Sequence, residues 1–264
     1  INKGLVNEFD GGVEVLDDLN DHWCLKHHKK ERNFLLSELT NFGALKGVRV
    51  TILSGDVHLG CCSRLKLKIH HSPYTHIYKG PEEVIQHNAN VVQYPEQDPR
   101  LIFNVILSAI INTPPPDAMA TLLNKSLHVH HFSQVTDEDV LPLFLTNPDG
   151  THRDNHQFLN KRNWSELIIA KQSDYKSEVG KGIKKFPGPL SEEGQKLLEK
   201  LKESESHIKY PLEANTLVTT FHFEDKTDDF DCNSALYEVL IPEMVGKYKI
   251  ENPGIKHLIS GRLD

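Results

Sequence analysis

The chain has 264 residues, 38% of them hydrophobic and 25% charged, which is the composition of an ordinary globular protein with apolar side chains enough for one large core or two small ones. Its net charge of -7 argues against an extended nucleic-acid partner, because such binders carry a basic face, and leaves room for a local cationic pocket around one phosphate. Cys61-Cys62 are adjacent and Cys24 and Cys232 stand far off, a pattern that is neither a zinc ribbon nor a disulfide framework and that predicts a reducing compartment, the cytoplasm.

Along the chain, residues 29–45 carry Leu35, Leu36, Leu39 and Phe42 at the spacing of one helical face, and Gly47 supplies the stop. The β-rich run 48–53 hardly alternates, which predicts a strand covered on both faces. Residues 66–98 are rich in His, Tyr, Pro and Asn and read as a surface excursion with room for a hairpin. The apolar run 101–111 predicts a second core strand, ended at Asn112-Thr113-Pro114-Pro115-Pro116, where three prolines forbid helix and ladder alike. Asp117 then opens a short helix through Leu122 and Leu123.

Further on, Thr136-Asp137-Glu138-Asp139 ahead of Val140, Leu141, Leu143 and Phe144 reads as a short capped helix despite Pro142, and Asn147-Pro148-Asp149-Gly150 as a turn. Residues 171–209 shift to Lys, Glu, Ser and Gly; Ser191 caps a predicted surface helix over 192–202, and 173–189 reads as a mobile insert. Runs 217–223 and 235–241, joined by the acidic stretch 224–234, predict an antiparallel hairpin. No stretch approaches the roughly 18 uninterrupted apolar residues of a spanning helix, and no signal sequence opens the chain. Any membrane link is therefore peripheral or lies outside these residues. Ile1 enters a patterned stretch without a polar lead-in, which reads as a fragment of a longer protein.

Gly55-Asp56-Val57-His58, directly after the first predicted strand, carries the most chemistry. A carboxylate and an imidazole two positions apart at a strand end can point the same way and grip one cation. Among sixteen histidines such a match also arises by chance, so its surroundings must support it. His70-His71 with His76, and His128 with His130 and His131, lack a carboxylate or cysteine at diagnostic spacing and read as surface or packing residues. Cys61-Cys62 reads as core packing rather than redox chemistry. Gly180-Lys181-Gly182 is no P-loop, because the full glycine frame and a preceding strand are absent.

Val15-Leu16-Asp17-Asp18-Leu19-Asn20-Asp21-His22-Trp23, then His28-Lys29-Lys30-Glu31-Arg32, then Thr51-Ile52-Leu53-Ser54-Gly55-Asp56-Val57-His58-Leu59 together resemble the PhoD-like metallophosphatases, especially their fungal branch. The likeness continues through 104–116, Val129-His130-His131, Arg162-Asn163-Trp164 and 210–242. It implies an α/β (α+β sandwich) metallophosphoesterase fold of four layers, present here in part. Residues 1–170 would be the C-terminal part of the phosphatase domain, 171–209 a charged insert, and 210–264 a β-hairpin and tail completing the same domain.

That resemblance further implies that Asp56 and His58 are metal ligands and that the family's earlier metal segments lie before residue 1, leaving the isolated chain inactive. A cation lowers the pKa of bound water and neutralises phosphate oxygens, the two obstacles to hydrolysing a phosphate ester, so a metal-bound hydroxide is the expected nucleophile. Asp56 offers an anionic oxygen, and His58 as neutral imidazole favours iron, zinc or manganese over magnesium; the family likeness suggests iron with calcium. Asp21 and His22 fall near the implied active face as candidate substrate or ligand-supporting residues, against a competing reading in which they cap turns and pack. The contrasting functional class is a non-catalytic, membrane-peripheral scaffold that keeps the fold and holds a partner through its charged insert or acidic loop.

Overall fold

The helix expected at 29–45 forms as α1 (Lys29–Lys46) in the computed structural model of the chain, which describes residues 28–55, 58–67, 95–111, 113–133, 136–149, 151–170, 214–226 and 234–250. Gly47 ends α1 in the left-handed region, at φ 70°, and donates its N–H to Gly43 O at 2.8 Å, the closure that glycine permits without a Cβ penalty. The buried face differs from the expected one: Leu36 is buried and Leu39 packs beside it, but Leu35 and Phe42 are exposed, and Arg32, Ser37, Thr40, Gly43 and Ala44 complete the buried stripe. Small residues win that face because the returning chain passes close. A Cβ on Gly43 would come within 2.9 Å of Val48 O.

Five strands form the first sheet, in the order β1-β3-β2-β5-β4. They are β1 (Thr51–Ser54), β2 (Cys61–Leu67), β3 (Ile102–Ile106), β4 (His130–His131) and β5 (Thr136–Val140), with α2 (Asp117–Ser126) between β3 and β4. β1 runs parallel to β3, and β2 is antiparallel to both β3 and β5. Two expectations are corrected here. β1 is an edge strand rather than one covered on both faces, so Leu53 is 58% exposed. β3 stops at Ile106, leaving Ile110 and Ile111 outside the ladder at 67% and 84% exposure.

The helix expected after Thr136 is instead strand β5, and the reason is charge. Thr136, Asp137, Glu138 and Asp139 pair in register with Leu67, Lys66, Leu65 and Arg64 of β2. Arg64 grips Asp139 through Nε to Oδ1 at 2.8 Å and Nη2 to Oδ2 at 3.1 Å, and Lys66 Nζ lies 2.9 Å from Oδ2. On the opposite face, Arg32 of α1 donates to Glu138. An acidic segment that would cap a helix in isolation is captured by cations on a neighbouring strand. A turn forms at Pro148 and Asp149, with the Asp149 carboxylate accepting from the Thr151 N–H at 2.9 Å and its hydroxyl at 2.6 Å; Gly150 lies outside the described residues.

The second sheet is β6 (Asn163–Ile169), β7 (Leu217–Phe223) and β8 (Ala235–Ile241), all antiparallel. The hairpin was expected, and β6 extends it on one side. One core cluster joins the sheets: Cys62, Phe103 and Val105 from the first meet Phe221, Phe223, Tyr237, Val239 and Ile241 from the second, with Phe144 between them. Tyr237 stacks on Phe223 at 4.9 Å, meets Phe144 edge-on, and donates its hydroxyl to Thr146 O, giving a buried phenol its acceptor. On the outer side of the first sheet, Leu36 of α1 packs with Leu65, Ile102 and Phe132. The result is an α+β fold with α1, a mixed sheet and an antiparallel sheet in successive layers. The predicted helix at 192–202 and the insert at 173–189 lie outside the described residues.

Glu238, opposite Thr220 on β7, is half-buried, and burial raises its carboxyl from 4.5 to about 7. Between those values the folded chain keeps a proton that the unfolded chain has lost, so stability falls as pH rises through the window. Glu238→Gln is expected to flatten that slope and to raise the melting temperature at pH 8. Thermal melts from pH 4 to 8 check it, and parallel curves for the two proteins refute it.

Candidate functional site

β1 and β3 run parallel, so their C-terminal ends open on the same side of the sheet. The chain leaves β1 at Gly55 there, and leaves β3 at Leu107 beside it. The upstream end of the loop is held by the Leu107 N–H, which donates to Ser54 O at 2.9 Å. Gly55 lies against Leu107 O, which a Cβ would meet at 3.7 Å. The downstream end is held by a two-way backbone bridge: Gly60 N–H to Leu159 O and Leu159 N–H to Gly60 O, both 2.8 Å.

His58 is half-buried and has φ 59°. A non-glycine residue in the left-handed region costs about 1 kcal/mol or more, and such conformations persist where the surroundings impose them. Here the pinned loop ends impose it. Leu59, Gly60 and Cys61 follow it into the interior.

Asn163, the first residue of β6, joins the two holders. Its side chain is 2% exposed; Nδ2 donates to Ser108 Oγ at 2.8 Å and to Lys161 O at 2.9 Å, while Oδ1 accepts the Ser108 N–H at 3.1 Å. Ser108 Oγ donates in turn to Lys161 O at 2.9 Å. Behind this lies Arg162, which donates Nε to Ile111 O at 3.1 Å and pairs through Nη1 with Glu224 Oε2 at 3.1 Å. Lys161 donates to Asp225 O at 2.7 Å, and burial lowers the pKa of its ammonium. Two cations from one short segment thus stand beside the 107–111 stretch, each tied to the acidic end of β7.

Of the residues singled out from sequence, only His58 is placed at this site; Asp56, Asp21 and His22 lie outside the described residues, as do His70, His71 and His76. His130 and His131 sit on β4, where adjacent side chains take opposite faces, and approach Glu138 at 3.8 Å and Asp137 at 2.8 Å. His128 is exposed ahead of that strand. Cys61 and Cys62 are buried, and burial pushes the Cys62 thiol well above its ordinary range, which leaves it a packing residue rather than a nucleophile. Among the described residues no group of three or more His, Cys, Asp or Glu is arranged to hold an ion. A carboxylate and an imidazole in Asp56 and His58 are donor types that suit a transition ion, and they amount to two of the four or more donors it takes.

Asn163 and Ser108 fall in stretches that carry the family resemblance, but nothing in the local pattern assigned them or Gly60 a place here, because their contacts join segments 55 residues or more apart. The matching relatives are these. The sequence pattern of a family described as "PhoD related phosphatase" matches residues 1–197. An uncharacterized protein of Saccharomyces cerevisiae is 45% identical over 264 residues, covering 97% of this chain and 37% of its own length. The chain therefore spans little more than a third of that relative. No solved structure matches.

Proposed function

The chain belongs to the PhoD related phosphatase family, and from that premise we propose that it contributes to a metal-dependent hydrolase of phosphate esters. The observation that carries the reading is that Gly55 and His58 stand where β1 and β3 end side by side, with Ser54 and Gly60 held by backbone hydrogen bonds, and that Asp56 falls between them in the sequence. Ligands in open α/β sheets bind outside the carboxyl ends of the strands, and a fixed loop presents its donors at low entropic penalty. Asp56 and His58 would hold the ion; family likeness points to iron with calcium, and an imidazole donor also suits zinc or manganese. When bound, such an ion lowers the pKa of water and neutralises phosphate oxygens. This chain's own part would be to supply the carboxylate of Asp56 and the imidazole of His58 from one short stretch of sequence.

The thiol usage and the net charge of -7 support a cytoplasmic setting and a small phosphate ester rather than nucleic acid as substrate. No helix among the described residues is long and apolar enough to cross a membrane. The second reading, an interaction scaffold on the same fold, draws on the exposed apolar side of α1, where Phe34, Leu35, Phe42 and Leu45 face outward.

Metal content and turnover of an aryl phosphate by the full-length protein decide between them. Asp56→Asn and His58→Ala are each expected to reduce bound metal and to lower turnover by at least about 100-fold. A wild type without turnover, whose metal content neither variant changes, overturns the enzyme and leaves the scaffold.

A further inference from the structure

We propose that Arg153 and Lys161 form an anion site for a phosphate group, taken up either as inorganic phosphate or as the head of a small monoester. The site is separate from Asp56 and His58 and needs no metal, so it goes beyond the phosphoesterase reading and does not depend on it.

Arg153 is 8% exposed, and a guanidinium so deeply buried is ordinarily matched by a carboxylate, because an interior charge without a counter-charge is costly. Other buried arginines of this fold obey the rule: Arg64 meets Asp139, and Arg32 meets Glu138. Arg153 meets no carboxylate among the described residues. Its Nη1 reaches Asn147 Oδ1 and its Nη2 reaches Phe158 O, both at a long 3.4 Å, and its Nε is buried without a partner. Neutral acceptors satisfy N–H groups; they do not balance the charge.

Lys161 brings a second cation to the same place. Its Nζ donates to a neutral backbone oxygen, Asp225 O at 2.7 Å, and stands 5.9 Å from the centre of the Phe223 ring. Phe223 stacks on Tyr237, Tyr237 donates to Thr146 O, and Asn147, the next residue, is the one Arg153 touches. The two cations thus flank one aromatic stack. After burial, the Arg153 charge is the foremost influence lowering the Lys161 ammonium, as expected of two positive groups close together. The neighbouring acids leave the pair unmatched: Glu224 pairs with Arg162, and the Asp225 carboxylate offsets part of the charge without an ion pair to either cation among the described residues.

Two cations side by side, one of them a planar fork of N–H donors, suit a phosphate group of charge about −2 with several acceptor oxygens better than a single carboxylate. Asp154, next to Arg153, is exposed and Lys161 is half-buried, so the guanidinium lies just beneath the surface.

In the test, full-length protein is stripped of metal by a chelator, which removes any ion-dependent phosphate binding. Inorganic phosphate, glycerol phosphate or acetate is then added at constant ionic strength, with affinity read by titration calorimetry and stability by thermal melting. Wild type is expected to bind inorganic phosphate saturably and acetate at least about tenfold more weakly. Glycerol phosphate bound as tightly identifies a monoester head as the ligand, and its exclusion identifies the free ion. Arg153→Met and Lys161→Met are each expected to weaken phosphate binding by about tenfold or more, and Lys161→Met stands in if Arg153→Met does not fold. Stability separates a binding charge from a structural one. Without phosphate, Arg153→Met should melt at or above the wild-type temperature, because a buried charge lacking a counter-charge has been removed, and millimolar phosphate should raise the melting temperature of wild type but not of the variant. An Arg153→Met protein that melts below wild type by the same margin with and without phosphate marks the arginine as structural and overturns the site. Metal-free wild type that takes up no phosphate, or a folded Arg153→Met protein with wild-type phosphate affinity, also overturns it, and neither result touches Asp56 and His58, whose part is read from metal content and turnover.

Discussion

Asp139→Ala is expected to destabilise the fold by about 3–5 kcal/mol, the range for removing one partner of a buried ion pair. Arg64 is fully buried, Lys66 nearly so, and both direct their charge at this one carboxylate. Burial by itself would raise the Asp139 carboxyl; the Arg64 and Lys66 charges and their hydrogen bonds more than offset it and hold the group below its ordinary 3.8. With the carboxylate gone, two buried cations lose this shared anionic partner, and β5 loses a charge pairing that holds it to β2. The sign with pH follows from the depressed value: the contribution is fully present above pH 3.8 and is lost as pH falls through the lower folded value. Urea unfolding at pH 7 measures the loss, and a change under about 1 kcal/mol, the ordinary surface range, would show that the interior tolerates the cations. Replacing Arg64, Lys66 and Asp139 together by Met, Met and Leu should restore most of the stability, since an apolar set of similar volume avoids the desolvation altogether.

Arg49→Ala comes next, at about 3 kcal/mol. The Arg49 guanidinium donates to five backbone carbonyls on two other stretches of chain: Asp98 at 2.8 Å, Leu101 at 2.6 Å and Pro95 at 3.0 Å ahead of β3, and Pro242 at 3.1 Å and Glu243 at 3.3 Å after β8. It ties the entrance of β1 to both sheets at the end opposite the candidate site. Alanine leaves those carbonyls without a charged donor, and Arg49→Lys recovers little, because an ammonium has three donors on one atom whereas the guanidinium fork has five. Equilibrium unfolding of the two variants tests this; a lysine variant as stable as wild type would show that charge alone, and not the fork, holds the segments.

Much of the frame was legible in the chain. Gly47 marked the end of α1 because a left-handed stop needs glycine, and β7 and β8 matched their expected bounds because alternating β-branched and aromatic residues favour a half-buried strand. The resemblance drawn from the chain likewise agrees with the family that matches residues 1–197. β5 was not legible, since Thr-Asp-Glu-Asp is a helix-capping pattern and a poor strand by propensity. Nor was the exposed edge of β1: Val48, Val50, Ile52 and Leu53 look the same in sequence whether one neighbour or two will cover them.

The amino-acid sequence alone determined what depends on near neighbours: where α1 stops, where the hairpin runs, and that a carboxylate and an imidazole stand two positions apart after a strand. Only the tertiary structure decided which side of α1 is buried, that 136–140 is extended, and that Asn163 of the second sheet bonds Ser108 and fills the space beside Gly60. The physical reason is the same in each case. Those outcomes are set by partners distant in the chain, an Arg64 for an Asp139 or a Gly60 for an Asn163, whose attraction or fit overrides the local preference once folding has brought them together.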